Sequence, residues 1–224
     1  MRYMKKLLIN INLYVKKIAI LIFVTSLISC SSTKLITSWK NPDYYIFKPK
    51  KILVVGVTPN YELRKAFEFK LIRALNARKI KALQSAVVFE TSFKDSKQTE
   101  KEIEVQVDIL LSKGYDTILV SRVKGVDDNK AYSGNSPKTD YHLRRFILYY
   151  LAYQDAYFME DYYSRYKVFN IETSIYNLKN DSDKSLVWKA SFDVVDINNS
   201  NKVMESYVKK LVKTLERKKI IPTK

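Results

Sequence analysis

A single cysteine, a single histidine and four glycines stand in 224 residues, and each scarcity removes a class of function. One cysteine forbids an intramolecular disulfide, so stability has to come from packing. With one histidine besides, no zinc site or other nitrogen-and-sulfur metal centre can be assembled, and the acids show no calcium-loop spacing, so no metal is expected. The glycines, at positions 56, 114, 125 and 134, never approach a phosphate loop or a dinucleotide fingerprint, so no nucleotide cofactor is expected either. A Ser-His-Asp arrangement would rest wholly on His142, which stands beside Arg144 and Arg145 and reads more simply as a solvated or partly packed imidazole. Glu68, Glu90, Glu172 and Asp193 are the acids weighed for paired-carboxylate chemistry, with surface solvation as the simpler reading. The expectation is a non-enzymatic protein with no catalytic residues.

Long hydrophobic runs are also missing. The longest is residues 18–28, IAILIFVTSLI, which is too short to span a bilayer and has the length of a secretion signal. Arg2, Lys5, Lys6, Lys16 and Lys17 precede it with no acid among them, the basic front of such a signal. It ends in Leu27-Ile28-Ser29-Cys30, which resembles the lipobox of bacterial lipoproteins, where the chain is cut between the residues here numbered Ser29 and Cys30 and the cysteine is acylated. One acyl chain holds a protein to a membrane only marginally and two or more hold it durably, each buried methylene contributing about 0.8 kcal/mol. Residues 1–29 are therefore read as a lipoprotein signal peptide and 30–50 as an acylated tether and lead-in. Ser31 after the cysteine resembles sorting to the outer membrane, so the expected location is the cell envelope, lipid-anchored and facing the periplasm.

Charge of one sign dominates. Lysine and arginine number 40 against 23 acids, and without the signal the balance remains about +12. Such a surface attracts nucleic acid, anionic lipid or acidic glycan. A biased codon composition, which would also raise Lys, Ile, Asn and Tyr together, explains it more simply, and no nucleic-acid partner is inferred. Apolar residues make up 46% of the chain, enough for a core.

Periodicity assigns residues 51–221 to one α/β (α+β) domain. KILVVGV at 51–57 reads as a buried central strand. Asn60 caps a helix to about Arg78 that places Leu63, Phe67, Leu71, Ala74 and Leu75 inward. Residues 80–89 read as a second strand. Thr99 and Glu102 form a capping box before a helix closed by Gly114, and 115–123 is a third strand. Residues 167–178 and 185–195 form a hairpin, and a final helix from about Asn199 carries Val203, Tyr207, Leu211 and Leu215 inward. The expected order is β-α-β-α-β-insertion-β-β-α, a single mixed sheet of about five strands covered by about three helices.

The insertion, 124–166, holds nine of the seventeen tyrosines and one candidate helix around Ile147 and Leu151. Tyrosine offers a rigid apolar body with one polar handle, which suits recognition surfaces. Tyr149, Tyr150, Tyr153, Tyr157, Tyr162 and Tyr163 are accordingly a candidate partner surface, against the alternative of a flap packed on the sheet.

The segments Ser38-Trp39-Lys40-Asn41-Pro42, ILVVGVTPN, Arg64-x-x-Phe67-Glu68, ETSIYN at 172–177 and LVWKAS at 186–191 resemble a group of small bacterial envelope lipoproteins. Their domain is similar to that of the curli-secretion lipoprotein and of lipoprotein activators of cell-wall synthases. The resemblance implies a binding or assembly role with an envelope protein partner. The chain departs from the group's pattern at Lys79, where a glycine would end the first helix. A salt-sensitive binder of anionic lipid or glycan at the membrane surface is the alternative function; oligomeric state is not legible.

Overall fold

The computed structural model describes residues 33–58, 60–89, 97–124, 145–154, 168–180, 182, 184–195 and 200–224. Cys30, Ser29 and the whole signal segment lie outside them, as do His142, Glu90, Tyr157, Tyr162 and Tyr163.

The described chain builds one mixed sheet flanked by helices, as the periodicity predicts. In chain order the elements are β1 (Thr33–Lys40), β2 (Lys51–Val57), α1 (Tyr61–Asn76), β3 (Lys81–Gln84), α2 (Ser85–Val88), α3 (Glu100–Ser112), β4 (Thr117–Lys124), α4 (Phe146–Tyr153), β5 (Val168–Asn177), β6 (Leu186–Val195) and α5 (Ser200–Arg217). The strands lie in the order β1-β6-β5-β4-β2-β3. β3, β2 and β4 run parallel, and β5, β6 and β1 continue the sheet antiparallel. β2 sits between β4 and β3, and Ile52, Leu53, Val54 and Val55 are all essentially inaccessible, as a β-branched run with a layer on each face should be.

The expected order holds closely, with two differences in detail. The sheet has six strands, because part of the presumed tether forms the edge strand β1. Its register slips between Leu35 and Thr37, and that bulge breaks the two-residue alternation by which a strand is recognised. Residues 80–89 are not one strand: β3 stops at Gln84 and the chain turns into α2. Glu68 supplies the reason, since its carboxylate accepts hydrogen bonds from the Ser85 hydroxyl (2.7 Å) and backbone N–H (3.2 Å), drawing the chain off the ladder.

Cores lie on both faces. On one, α1 and α5 cover the sheet with Phe67, Leu71, Leu75, Val203, Tyr207, Leu211 and Leu215 against Ile52, Val54, Trp188 and Phe192. On the other, α3 and α4 bring Ile103, Leu110, Phe146 and Tyr149 onto Leu53, Ile118, Val120 and Tyr176. Gly56 lets α1 approach β2 closely, for an added Cβ would lie 3.1 Å from Phe67 and 3.2 Å from Arg64.

Helix caps follow the sequence. The Asn60 side chain accepts from the Leu63 N–H at 3.0 Å, and Thr99 and Glu102 form the complete capping box. Three helices end alike. After α1, α3 and α5 a residue takes positive φ, namely Lys79 (62°), Gly114 (80°) and Lys219 (54°). The next residue, Ile80, Tyr115 or Ile220, is buried and donates its N–H to the carbonyl of Leu75, Leu110 or Leu215. A left-handed conformation costs a non-glycine residue about 1–2 kcal/mol. Gly114 avoids that cost; Lys79 and Lys219 bear it.

Candidate binding surfaces

The carboxylates weighed for chemistry are mostly built into the scaffold. Glu68 is almost fully buried and accepts from the Gly56 N–H (2.9 Å) and from Ser85, tying α1 to β2 and to the end of β3. Burial raises its carboxyl above the ordinary value, while the bonds from Gly56 and Ser85 and the nearby Arg64 work against that rise. Glu172 is fully buried on the other face, between Arg122 (3.2 Å) on β4 and Lys189 (3.0 Å) on β6, a cross-strand ion triad. Asp193 accepts from Asn170 at 3.0 Å. Glu68 and Glu172 lie against opposite faces of the sheet and do not form a pair.

The insertion tyrosines divide. Tyr149 is buried and its ring lies tilted against Tyr176 at 5.5 Å, with the Arg122 guanidinium over its ring at 5.8 Å. Tyr150 is half-buried near Phe146, and burial pushes its hydroxyl up to about 12. In this structure Tyr149 and Tyr150 face the core, in keeping with the alternative of a flap packed on the sheet. The reason is that α4 is apolar almost throughout, FILYYLAY, and has a sheet face to cover. Tyr153 ends α4, and the remaining three lie outside the described residues.

Two recesses were not legible in the sequence, since each joins segments far apart in the chain. The first, of about 360 Å³, opens at the carboxyl ends of β2 and β4, between α1 and α5. Val57, Leu63, Phe67, Phe169, Val203 and Met204 make it apolar, Arg64 is its charged side chain on α1, and Tyr207 lies within it. Tyr207 is hydrogen-bonded to Ser121 (3.2 Å) and Thr173, and burial raises its hydroxyl to about 12.

The second recess, an open groove of about 1370 Å³, lies at the opposite end of the sheet, where α1 and α5 finish side by side. Residues 41–49 form one wall, with Tyr45 and Ile46 exposed to 86% and 71%. Lys48, Lys79, Arg217, Lys219 and Lys224 line it. Its acid, Glu216, is held by Arg78 at 2.7 Å. Lys40 donates to the carbonyls of Tyr45 and Lys218, and its ammonium is held below the usual lysine value by burial and by the charges of Lys219 and Lys218. The sequence signals for this end were the lysine at position 79 in place of glycine and the basic residues Arg217, Lys218 and Lys219 that close the last helix, a candidate contact surface beside the insertion.

The segments that carry the family resemblance prove to be fasteners. Ser38 accepts from the Trp188 indole at 3.0 Å, and Asn41 bonds Val187 and Leu186 through its main chain and side chain.

No family model and no curated protein matches the sequence. Among solved structures the chain is similar to the PelC dodecamer from Paraburkholderia phytofirmans, at 10% identity and TM-score 0.42, covering 85% of this chain and 99% of that one. It is also similar to lipoprotein GNA1162 from Neisseria meningitidis (15% identity, TM-score 0.39, covering 75% and 96%). A DUF4136 family protein from Bacteroides thetaiotaomicron is a third (10% identity, TM-score 0.38, covering 84% and 97%). Among the described residues no helix is long and apolar enough to cross a membrane, and no cluster of His, Cys, Asp or Glu is placed to hold a metal ion.

Proposed function

We propose that the chain is an envelope lipoprotein, anchored through acyl chains on Cys30, whose α/β domain is a non-enzymatic binding or assembly factor for an envelope complex. The observation that carries the non-enzymatic part is the fate of Glu68 and Glu172. A catalytic carboxylate needs access to substrate, whereas both of these are buried and held by the scaffold, Glu68 by donors from Gly56 and Ser85 and Glu172 by the cations of Arg122 and Lys189. The anchor reading rests on the position of Cys30 directly after an apolar run of signal length. Ser31 after the cysteine supports an outer-membrane placement, and the similarity of the quoted segments to envelope lipoproteins, including the curli-secretion lipoprotein and activators of cell-wall synthases, supports a binding or assembly role with a protein partner.

Mass spectrometry of the chain recovered from membranes tests the anchor. The reading expects a mature amino terminus at Cys30 carrying acyl chains, and Cys30→Ala should release the domain from the membrane fraction or leave the signal uncleaved. An unmodified Cys30 within an intact amino terminus would refute it. The second reading, binding of anionic lipid or glycan, is favoured by the crowded cations around Lys40. Titrating the full chain with anionic liposomes at two ionic strengths separates them, because binding by summed charge weakens steeply with salt.

A further inference from the structure

We infer that the groove where α1 and α5 end is the partner-binding surface, and that it takes an acidic protein segment bearing large apolar side chains. The inference rests on the reading of the chain as an anchored binding domain and names the partner's chemistry.

Charge is the first argument. Among the described residues none of Lys48, Lys79, Arg217, Lys219 and Lys224 meets a carboxylate within ion-pair distance. Glu216 is engaged by Arg78, so the cavity is left with uncompensated positive charge in a concave site, where fields concentrate.

The backbone gives the second. Two lysines hold a left-handed conformation that glycine adopts freely, and both open on this groove, while the equivalent position on the opposite face of the sheet is a glycine. Strain retained at one place and avoided at another marks the place where the side chain is needed.

The third argument selects the occupant. Tyr45 and Ile46 stand exposed beside the cations, an apolar and aromatic patch within a basic rim, the composition of a protein interface. A glycan would need amide and carboxylate partners for its hydroxyls, yet Asn41 is occupied by Leu186 and Asp43, and Glu216 by Arg78.

Position also sets the groove apart from the residue nearest the proposed anchor. β1 runs from Thr33, opposite Val194, to Lys40, opposite Trp188, so the groove lies at the end of the sheet away from Thr33. β1 extends about 23 Å from Thr33 toward the groove.

The test is fluorescence anisotropy with the full chain in detergent and a fluorescein-labelled glutamate-rich peptide with interspersed phenylalanines. The expected result is saturable binding that weakens with salt, is lost when glutamate is replaced by glutamine, and falls about tenfold in Lys79→Gly/Lys219→Gly. That variant relieves backbone strain, so its melting temperature should not drop and misfolding cannot imitate the loss. Tyr45→Ser/Ile46→Ser should weaken binding independently. No binding, binding unchanged in the double lysine variant, or equal binding of the glutamine peptide would each overturn the proposal. So would polygalacturonate or anionic vesicles outcompeting the peptide, since the occupant would then be a glycan or a lipid surface. An unacylated Cys30 would defeat the anchored reading without altering this titration.

Discussion

On the face covered by α1 and α5 the sheet meets an apolar layer, with Trp188 and Phe192 enclosed by Phe67, Tyr207, Leu211 and Leu215. On the face covered by α3 and α4 apolar packing around Leu53 and Ile118 gives way, along β4, β5 and β6, to the buried ions Arg122 and Glu172 and the half-buried Lys189. The first face gains by excluding water and is sensitive to lost volume. The second holds charges whose desolvation offsets most of their attraction, and it is sensitive to removing one member and leaving the others.

Substitutions that exploit this contrast rank by size. Trp188→Ala removes the largest fully buried side chain and the bond to Ser38, and should destabilise by about 4 kcal/mol in urea unfolding. Glu172→Ala removes the buried carboxylate that Arg122 and Lys189 share and should cost about 3 kcal/mol. Replacing Glu172, Arg122 and Lys189 together by leucine and methionine should recover most of that loss, whereas no comparable rescue exists for Trp188. If the triple replacement is worse than Glu172→Ala alone, the contrast between the faces fails.

Glu68→Ala strands the N–H groups of Gly56 and Ser85 and should cost about 2 kcal/mol. Because the folded carboxyl lies above its ordinary value, its contribution is fully present below pH 4.5 and declines as pH rises through the raised value. Wild-type stability should therefore carry a component falling with pH above 4.5 that Glu68→Ala lacks, read from unfolding midpoints over a pH series. The smallest pair is at the helix ends. Gly114→Ala meets no atom within 4 Å, so its cost of about 1 kcal/mol is purely conformational, and Lys79→Gly should gain about as much. Equal and opposite shifts in Tm would show that the two positions differ only in what their side chains do.

Much of this was legible from periodicity. The central strand 51–57, the helices started by Asn60 and Thr99, and the hairpin of β5 and β6 all follow from spacing and caps, because each buries one face over many residues. β1 escaped because its bulge interrupts the alternation. The early stop of β3 escaped because it depends on Glu68, seventeen residues away from Ser85. Tyr149 and Tyr150 read as a surface because tyrosine count says nothing of direction; the apolar run of α4 held the better signal. The groove escaped for a different reason, since its walls come from residues 40–49, 77–80 and 216–224, and no local pattern records that three segments meet.

The most direct test is photo-cross-linking in intact cells, with the reactive group at position 219 in the groove and, for comparison, at position 101 on the exposed side of α3. The account predicts an envelope protein captured from position 219 and not from 101, and lost when Cys30 is replaced by alanine. Capture from position 101 alone, or a pattern at 219 unaffected by loss of Cys30, would contradict it.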